Sequence, residues 1–241
     1  MQNIFKRREK KYLITVEQGL ALQRLIIQYM KIDQHGEYLV QNLYYDTANW
    51  DIIRKSIEKP LYKEKLRLRF YDEYNPKSKG FLELKKKFDG VVYKRRIDFP
   101  LGELKKRCIR EIASAADSQI SREIGFFLKH YQVSEKIYIA YKRTAYTGLF
   151  DNDFRITFDR DIFFRLYPLD SFNDYCPGID RQIQNRDQLL MEIKTAGAIP
   201  LWLAQTLSKN KIFPLSFSKF GVCYTKHISK RQNIKGDENA A

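Results

Sequence analysis

Charged residues recur two apart along this chain: Arg7, Glu9 and Lys11; Lys65, Arg67 and Arg69; Glu83, Lys85 and Lys87; Lys94 and Arg96; Glu192 and Lys194. Arg143, Arg155 and Asp159 lie in similar strand-like surroundings. A spacing of two places side chains on one face of a β-strand. In several of these runs the other parity is apolar, as in Leu66, Leu68 and Phe70, Leu82 and Leu84, or Met191 and Ile193. Taken one strand at a time, the charged parity reads as a solvated face. Taken together, the cations outnumber the carboxylates, and like charges side by side on neighbouring strands repel. At ~6 Å and an effective dielectric of about 20, each such pair costs about 3 kcal/mol before screening. If the strands close into a barrel with this parity inside, the lumen requires an anion of high charge density. A triphosphate or longer polyphosphate suits it, because arginine offers the fork that phosphate favours. The carboxylates Glu9, Glu83, Asp159 and Glu192 would then recruit Mg²⁺ or Mn²⁺ among the phosphates.

Composition narrows the alternatives. The 241 residues hold 44 Lys and Arg against 29 Asp and Glu, a net charge of +15 with a pI near 9.6. That balance implies an anionic partner. With 44% hydrophobic and 14% aromatic residues the chain can bury a core. No apolar run approaches the roughly 18 residues of a membrane span, and the basic N-terminus has no apolar stretch behind it, so neither spanning nor secretion is expected. Cys108, Cys176 and Cys223 are scattered and odd in number, which argues against a disulfide framework or a thiolate zinc site and for a cytoplasmic setting. His35, His130 and His227 show no ligand spacing. There is no glycine-rich phosphate loop, no H-E-x-x-H and no G-x-S-x-G, so phosphate must be held by side chains. The 32 Tyr and Phe residues would permit a nucleic-acid-binding module. No recognition pattern for one is present, and no nucleic-acid partner is expected.

The elements that position these residues follow from periodicity. Strands are expected over residues 5–14, 39–47, 62–71, 81–88, 91–99, 136–146, 154–163 and 188–195, with turns at Asn75-Pro76, Asp89-Gly90 and Asp151-Asn152-Asp153. Thr15 and Gln18 form a capping box that opens a helix with Leu22, Leu25, Ile26, Tyr29 and Met30 at helical spacing. A second stripe runs through Ile120, Ile124, Phe127, Leu128 and Tyr131. Pro200 suits the first turn of a helix over LWLAQTLSK, residues 50–57 read as a connection, and residues 216–226 fit either a helix or a strand. The fold class is α+β, an antiparallel eight-stranded closed β-barrel with flanking helices. Residues 1–228 form a single domain, followed by a disordered tail over 229–241.

Eight blocks in order carry a resemblance: REKKYLI (8–14), LYYDT (43–47), LRLRFY (66–71), FLELKKK (81–87), YKRTAY (141–146), RITFDRDI (155–162), LLMEIKT (189–195) and PLSFSKFGVCY (214–224). Together they resemble the VTC domain, a polyphosphate polymerase module related to the triphosphate tunnel enzymes and the CYTH-like cyclases and thiamine triphosphatases. The resemblance implies metal-dependent transfer of the γ-phosphate of ATP to a growing polyphosphate chain. Related members instead hydrolyse tripolyphosphate or nucleoside triphosphates, and a non-catalytic polyphosphate binder is a further alternative. Carried over by position, Lys11, Arg67, Arg69, Lys85, Arg143 and Arg155 bind phosphate, with Tyr141 beside them. Glu192 binds the metal, and Lys194 and Lys219 contact the transferred phosphate and its neighbour. Arg155 and Lys219 also take up charge at the leaving oxygen. Lys65, Lys87 and Arg96, on the same charged parities, and Ser218 complete the substrate set, and Glu9 is a second metal ligand. The superfamily's E-x-E-x-K signature reads Arg7-x-Glu9-x-Lys11 here, which argues for one metal rather than two. ATP and inorganic polyphosphate are the expected partners. With no sensing domain or membrane helices in the sequence, a separate membrane protein would serve any export of the polymer.

Overall fold

The computed structural model describes residues 8–89, 91–115, 117–168 and 181–229. Arg7, Cys176 and the tail beyond Ser229 lie outside the described residues. Within the span read as one domain, the chain divides into two compact units. The first comprises Met1–Leu39, Tyr141–Ile162 and Gln184–Phe217, and the second Val40–Ala140, Phe163–Ile183 and Ser218–Ala241.

Nine strands are described: β1 (Arg8–Thr15), β2 (Met30–Asp46), β3 (Tyr62–Tyr71), β4 (Lys79–Phe88), β5 (Val91–Pro100), β6 (Ser134–Gly148), β7 (Arg155–Leu166), β8 (Arg181–Gln182) and β9 (Gln188–Thr195). Their hydrogen-bonded order is β1-β9-β7-β6-β2-β3-β4-β5, with β8 attached to β7. This corrects the expected eight-stranded closed barrel, since the ladder has free ends at β1 and β5. At β1 the outer edge is already taken at mid-strand, where Leu215 N donates to Lys11 O at 2.8 Å. Along β5 most positions alternate between half-buried and exposed, several carry charge, and the strand ends at Pro100, which has no N–H to donate. The ninth strand, β8, has two residues, too few for any periodicity to announce it.

Among the described residues six α-helices flank the sheet: α1 (Val16–Ile26), α2 (Asp51–Ile57), α3 (Ile109–Ser114), α4 (Gln119–Tyr131), α5 (Leu201–Lys209) and α6 (Lys219–Cys223). The capping box forms as expected, with Gln18 N donating to Thr15 Oγ1 at 3.1 Å and Thr15 N to Gln18 Oε1 at 3.0 Å. Helix α1 ends at Ile26, so Tyr29 and Met30 fall beyond it and Met30 instead opens β2. The stretch read as a connection is α2, and residues 216–226 resolve to α6, capped by Ser218, followed by a wide helical turn over Tyr224–Ile228.

In the first unit the apolar parity of β1, β7 and β9 buries Tyr12, Ile14, Ile156, Phe158, Met191 and Ile193 in one cluster with Leu22 and Ile26 of α1 and Leu203 and Leu207 of α5. Each such side chain contributes on the order of 2 kcal/mol. Gly19 brings α1 close to β9, where a Cβ would meet the Leu189 Cδ1 methyl. In the second unit Leu66, Leu68, Phe70, Leu82 and Leu84 are buried on the apolar parity of β3 and β4. The β4–β5 ladder pairs Phe88 with Val91, and Gly90 of the expected Asp89-Gly90 turn lies outside the described residues. Among the described residues no helix is long and apolar enough to cross a membrane. The opposite parity in each unit carries the charges.

Candidate functional site

In the second unit the strand registers align the charged residues in rows. Tyr44 lies opposite Arg67, Arg67 opposite Glu83, and Glu83 opposite Arg96. The next row runs Asn42, Arg69, Phe81, Asp98, and on the other side Lys65, Lys85 and Lys94 stand abreast. Glu83 is the anchor, 2% exposed. It accepts from Arg67 Nε at 2.9 Å and Nη2 at 2.7 Å, touches the Lys94 ammonium, and has Arg69 Nε at 4.0 Å. Burial works to raise its carboxyl, but Arg67, Arg69 and Lys94 outweigh that and hold it well below the ordinary carboxylate range. Desolvation on this cationic face lowers the Lys94 ammonium to about 8 against the pull of Glu83.

Neutral groups also help to orient the arginines. Arg69 Nε donates to Asn42 Oδ1 at 2.9 Å, and the fully buried Asn42 donates from Nδ2 to Ile139 O at 3.0 Å. Arg67 Nη1 donates to the Tyr44 hydroxyl at 3.3 Å. Lys65 Nζ donates to Ser218 Oγ at 3.1 Å, which puts the loop before α6 beside β3, and Lys219 follows, 8% exposed. Arg96 lies over the Phe81 ring at 4.7 Å, Lys85 is exposed, and Lys87 is half-buried opposite Lys63. Lys65, Arg67, Arg69, Lys85, Lys87 and Arg96 therefore share one sheet face, and Ser218 is tied to it through Lys65.

The first unit carries a second set. Here Glu9 pairs with Lys194 and Lys194 with Arg155, while Lys11 pairs with Glu192 and Glu192 with Thr157. Glu192, 6% exposed, lies 3.4 Å from Lys11 Nζ, 3.6 Å from Lys194 Nζ and 3.9 Å from Arg143 Nη2. Lys11 Nζ is also 3.5 Å from Glu9 and donates to Phe217 O at 2.9 Å. Arg143 grips the fully buried Asp159 with two hydrogen bonds, 2.6 and 2.8 Å, and stands 5.2 Å from the Tyr141 ring. Desolvation disfavours the Arg143 charge, yet Asp159 outweighs it and fixes the guanidinium protonated. Arg155 reaches Asp33 at 3.4 Å.

Two of the four strand carboxylates expected to recruit metal, Glu83 and Asp159, are engaged by arginines. Glu83 accepts both Arg67 hydrogen bonds on Oε2, and Asp159 takes Arg143 on both of its oxygens, the bidentate geometry that arginine favours. Among the described residues no group of three or more His, Cys, Asp or Glu gathers to hold a metal. What remains is Glu9 and Glu192 flanking Lys11. Two carboxylates fit a Mg²⁺ or Mn²⁺ ion that takes its other ligands from phosphate and water. The charge spacing did not mark Asn42, Tyr44 or Thr157, which carry no charge, and Lys94 stood in a charged run without being singled out.

A family model, the VTC domain, matches residues 6–228. Among solved structures, a "putative adenylate cyclase" of Bacillus halodurans is 15% identical with a TM-score of 0.50, covering 90% of this chain and 94% of its own. Another of the same description, from Vibrio parahaemolyticus, is 14% identical with a TM-score of 0.45, covering 92% of this chain and 98% of its own. The Bacillus likeness is one of fold. No curated protein matches the sequence. A match that runs from before β1 to the end of the last helical turn, through both charged faces, leaves one conclusion: the chain belongs to the VTC domain family.

Proposed function

We propose that the chain is a metal-dependent polyphosphate polymerase, transferring the γ-phosphate of ATP to the end of an inorganic polyphosphate chain. The observation that carries this reading is Glu192, a nearly buried carboxylate within 4 Å of cations from β1, β6 and β9 in a chain of the VTC family. A terminal oxygen of the acceptor chain attacks the γ-phosphorus, the new P–O bond forms as the bond to the β,γ-bridging oxygen breaks, and ADP leaves with the charge. Such a transfer asks the protein for alignment and charge neutralisation rather than a nucleophile of its own.

In the first unit Lys11, Arg143, Arg155 and Lys194 bind and neutralise phosphate beside Glu192. In the second unit Lys65, Arg67, Arg69, Lys85, Lys87, Arg96, Ser218 and Lys219 bind phosphate on the face anchored by Glu83. Glu192, with Glu9, would hold Mg²⁺ or Mn²⁺, and the bound ion supplies positive charge shared among phosphate oxygens. Incubation with ATP and Mn²⁺ should yield ADP and acid-precipitable polyphosphate. Orthophosphate released in step with ADP, with no polymer, would replace this reading with hydrolysis.

A further inference from the structure

Strand β7 holds two buried polar atoms without a hydrogen-bond partner, Arg155 Nε and Thr157 Oγ1. They are two residues apart and so belong to one face. On that face Arg155 stands opposite Lys194 and Thr157 opposite Glu192. Thr157 is 5% exposed. Roughly 90% or more of buried polar groups are paired, so two orphans side by side call for a partner from outside the chain.

The neighbouring carboxylates do not fill that role. Glu192 has Lys11, Lys194 and Arg143 around its oxygens. Asp159, two residues beyond Thr157, has both oxygens on Arg143. Arg Nε can only donate, and a hydroxyl beside it can donate as well. A ligand that satisfies both must bring acceptor oxygens, and the cations around Glu192 require it to be anionic. A non-bridging phosphate oxygen meets these terms.

We propose that Thr157 is a phosphate-contacting residue of the Glu192 site, its hydroxyl donating to an oxygen of the bound phosphate chain beside the oxygen that takes Arg155 Nε. The proposal rests on the reading that this face binds phosphate. It adds an uncharged contact to a set otherwise made of cations, and it gives the orphaned hydroxyl a use. Valine keeps the branched shape and loses the donor, whereas serine keeps the donor.

Titration calorimetry with tripolyphosphate on the full chain, together with melting without ligand, tests it on the parent, Thr157→Val and Thr157→Ser. Thr157→Val should bind about tenfold more weakly while melting unliganded at or above the parent, since it no longer buries an unsatisfied hydroxyl. Thr157→Ser should bind within about twofold of the parent, in line with one retained hydrogen bond. Parental affinity in Thr157→Val overturns the proposal. So does an equal loss of affinity in both variants, which would assign the residue to packing. A parent that does not bind tripolyphosphate removes the phosphate reading of the face, and this contact with it.

Discussion

Arg67 shows how one residue can answer to two opposing electrostatic effects. Its charged neighbours on β3 suggest that removing it relieves repulsion. However, it donates two hydrogen bonds to Glu83, which is 2% exposed. Arg67→Ala leaves that carboxylate to Lys94 and Arg69, and the variant should lose about 1.5–3 kcal/mol in urea denaturation, the scale of hydrogen bonds to a charged group. A raised midpoint would mean that repulsion dominates the face after all. The same carboxylate sets an acid limb. Burial acts to raise its carboxyl, and Arg67, Arg69 and Lys94 hold it below its ordinary 4.5, so on acidification the unfolded chain takes up the proton first. The stability contributed by Glu83 is complete above about pH 4.5 and is lost as the pH falls below that. Glu83→Gln should flatten this limb in melting curves taken across pH 3 to 6. At Glu192 the expectation differs, because its cation contacts of 3.4–3.9 Å are longer than the 2.7 and 2.9 Å hydrogen bonds from Arg67 to Glu83. Glu192→Gln should retain tripolyphosphate binding and lose polymer formation from ATP, and full activity at saturating Mn²⁺ would remove it from the metal site.

At the scale of elements, α2 was invisible in the sequence for a definable reason. Its N-cap is Trp50 at φ +64°, with no capping side chain of its own. The cap comes from Asp46 at the end of β2, fully buried, which accepts from Thr47 N at 2.8 Å, Ile52 N at 3.0 Å and Ile53 N at 2.9 Å. Removing those acceptors in Asp46→Ala should cost about 2 kcal/mol, the upper end for a cap, and urea unfolding would read it. Most of β3, β4 and β9 was legible because one parity is apolar and buried while the other carries charge, and β5 because half-buried and exposed positions alternate along it. The first half of β2 was not, because it shows no regular alternation of buried and exposed positions. Charge at a spacing of two likewise revealed which residues share a face. It could not reveal which carboxylate each arginine takes, because that depends on the register between strands: Arg67 opposite Glu83 is a fact of pairing, not of spacing.

For the molecule as a whole, the net charge of +15 sets two responses to salt that run in opposite directions. Glu83, Asp159 and Glu192 neutralise only part of the two faces, and the Lys63 ammonium is lowered by its burial and then by Lys87 and Lys59. Screening shortens the reach of such repulsion from about 10 Å at 0.1 M salt to about 3 Å at 1 M. The ligand-free chain should therefore melt at a higher temperature as KCl is raised across that range. Tripolyphosphate binding draws on the same charges with the opposite sign, so its affinity should fall across the same titration. At low salt a ligand present at a hundred times its dissociation constant adds about 2.7 kcal/mol of stability. That increment should shrink with KCl while the ligand-free baseline climbs, until the two melting curves converge. A ligand-free melting temperature that stays flat from 0.1 to 1 M KCl would show that the buried carboxylates have already balanced the cations, and that the affinity for polyanions comes from hydrogen-bond geometry rather than from surplus charge.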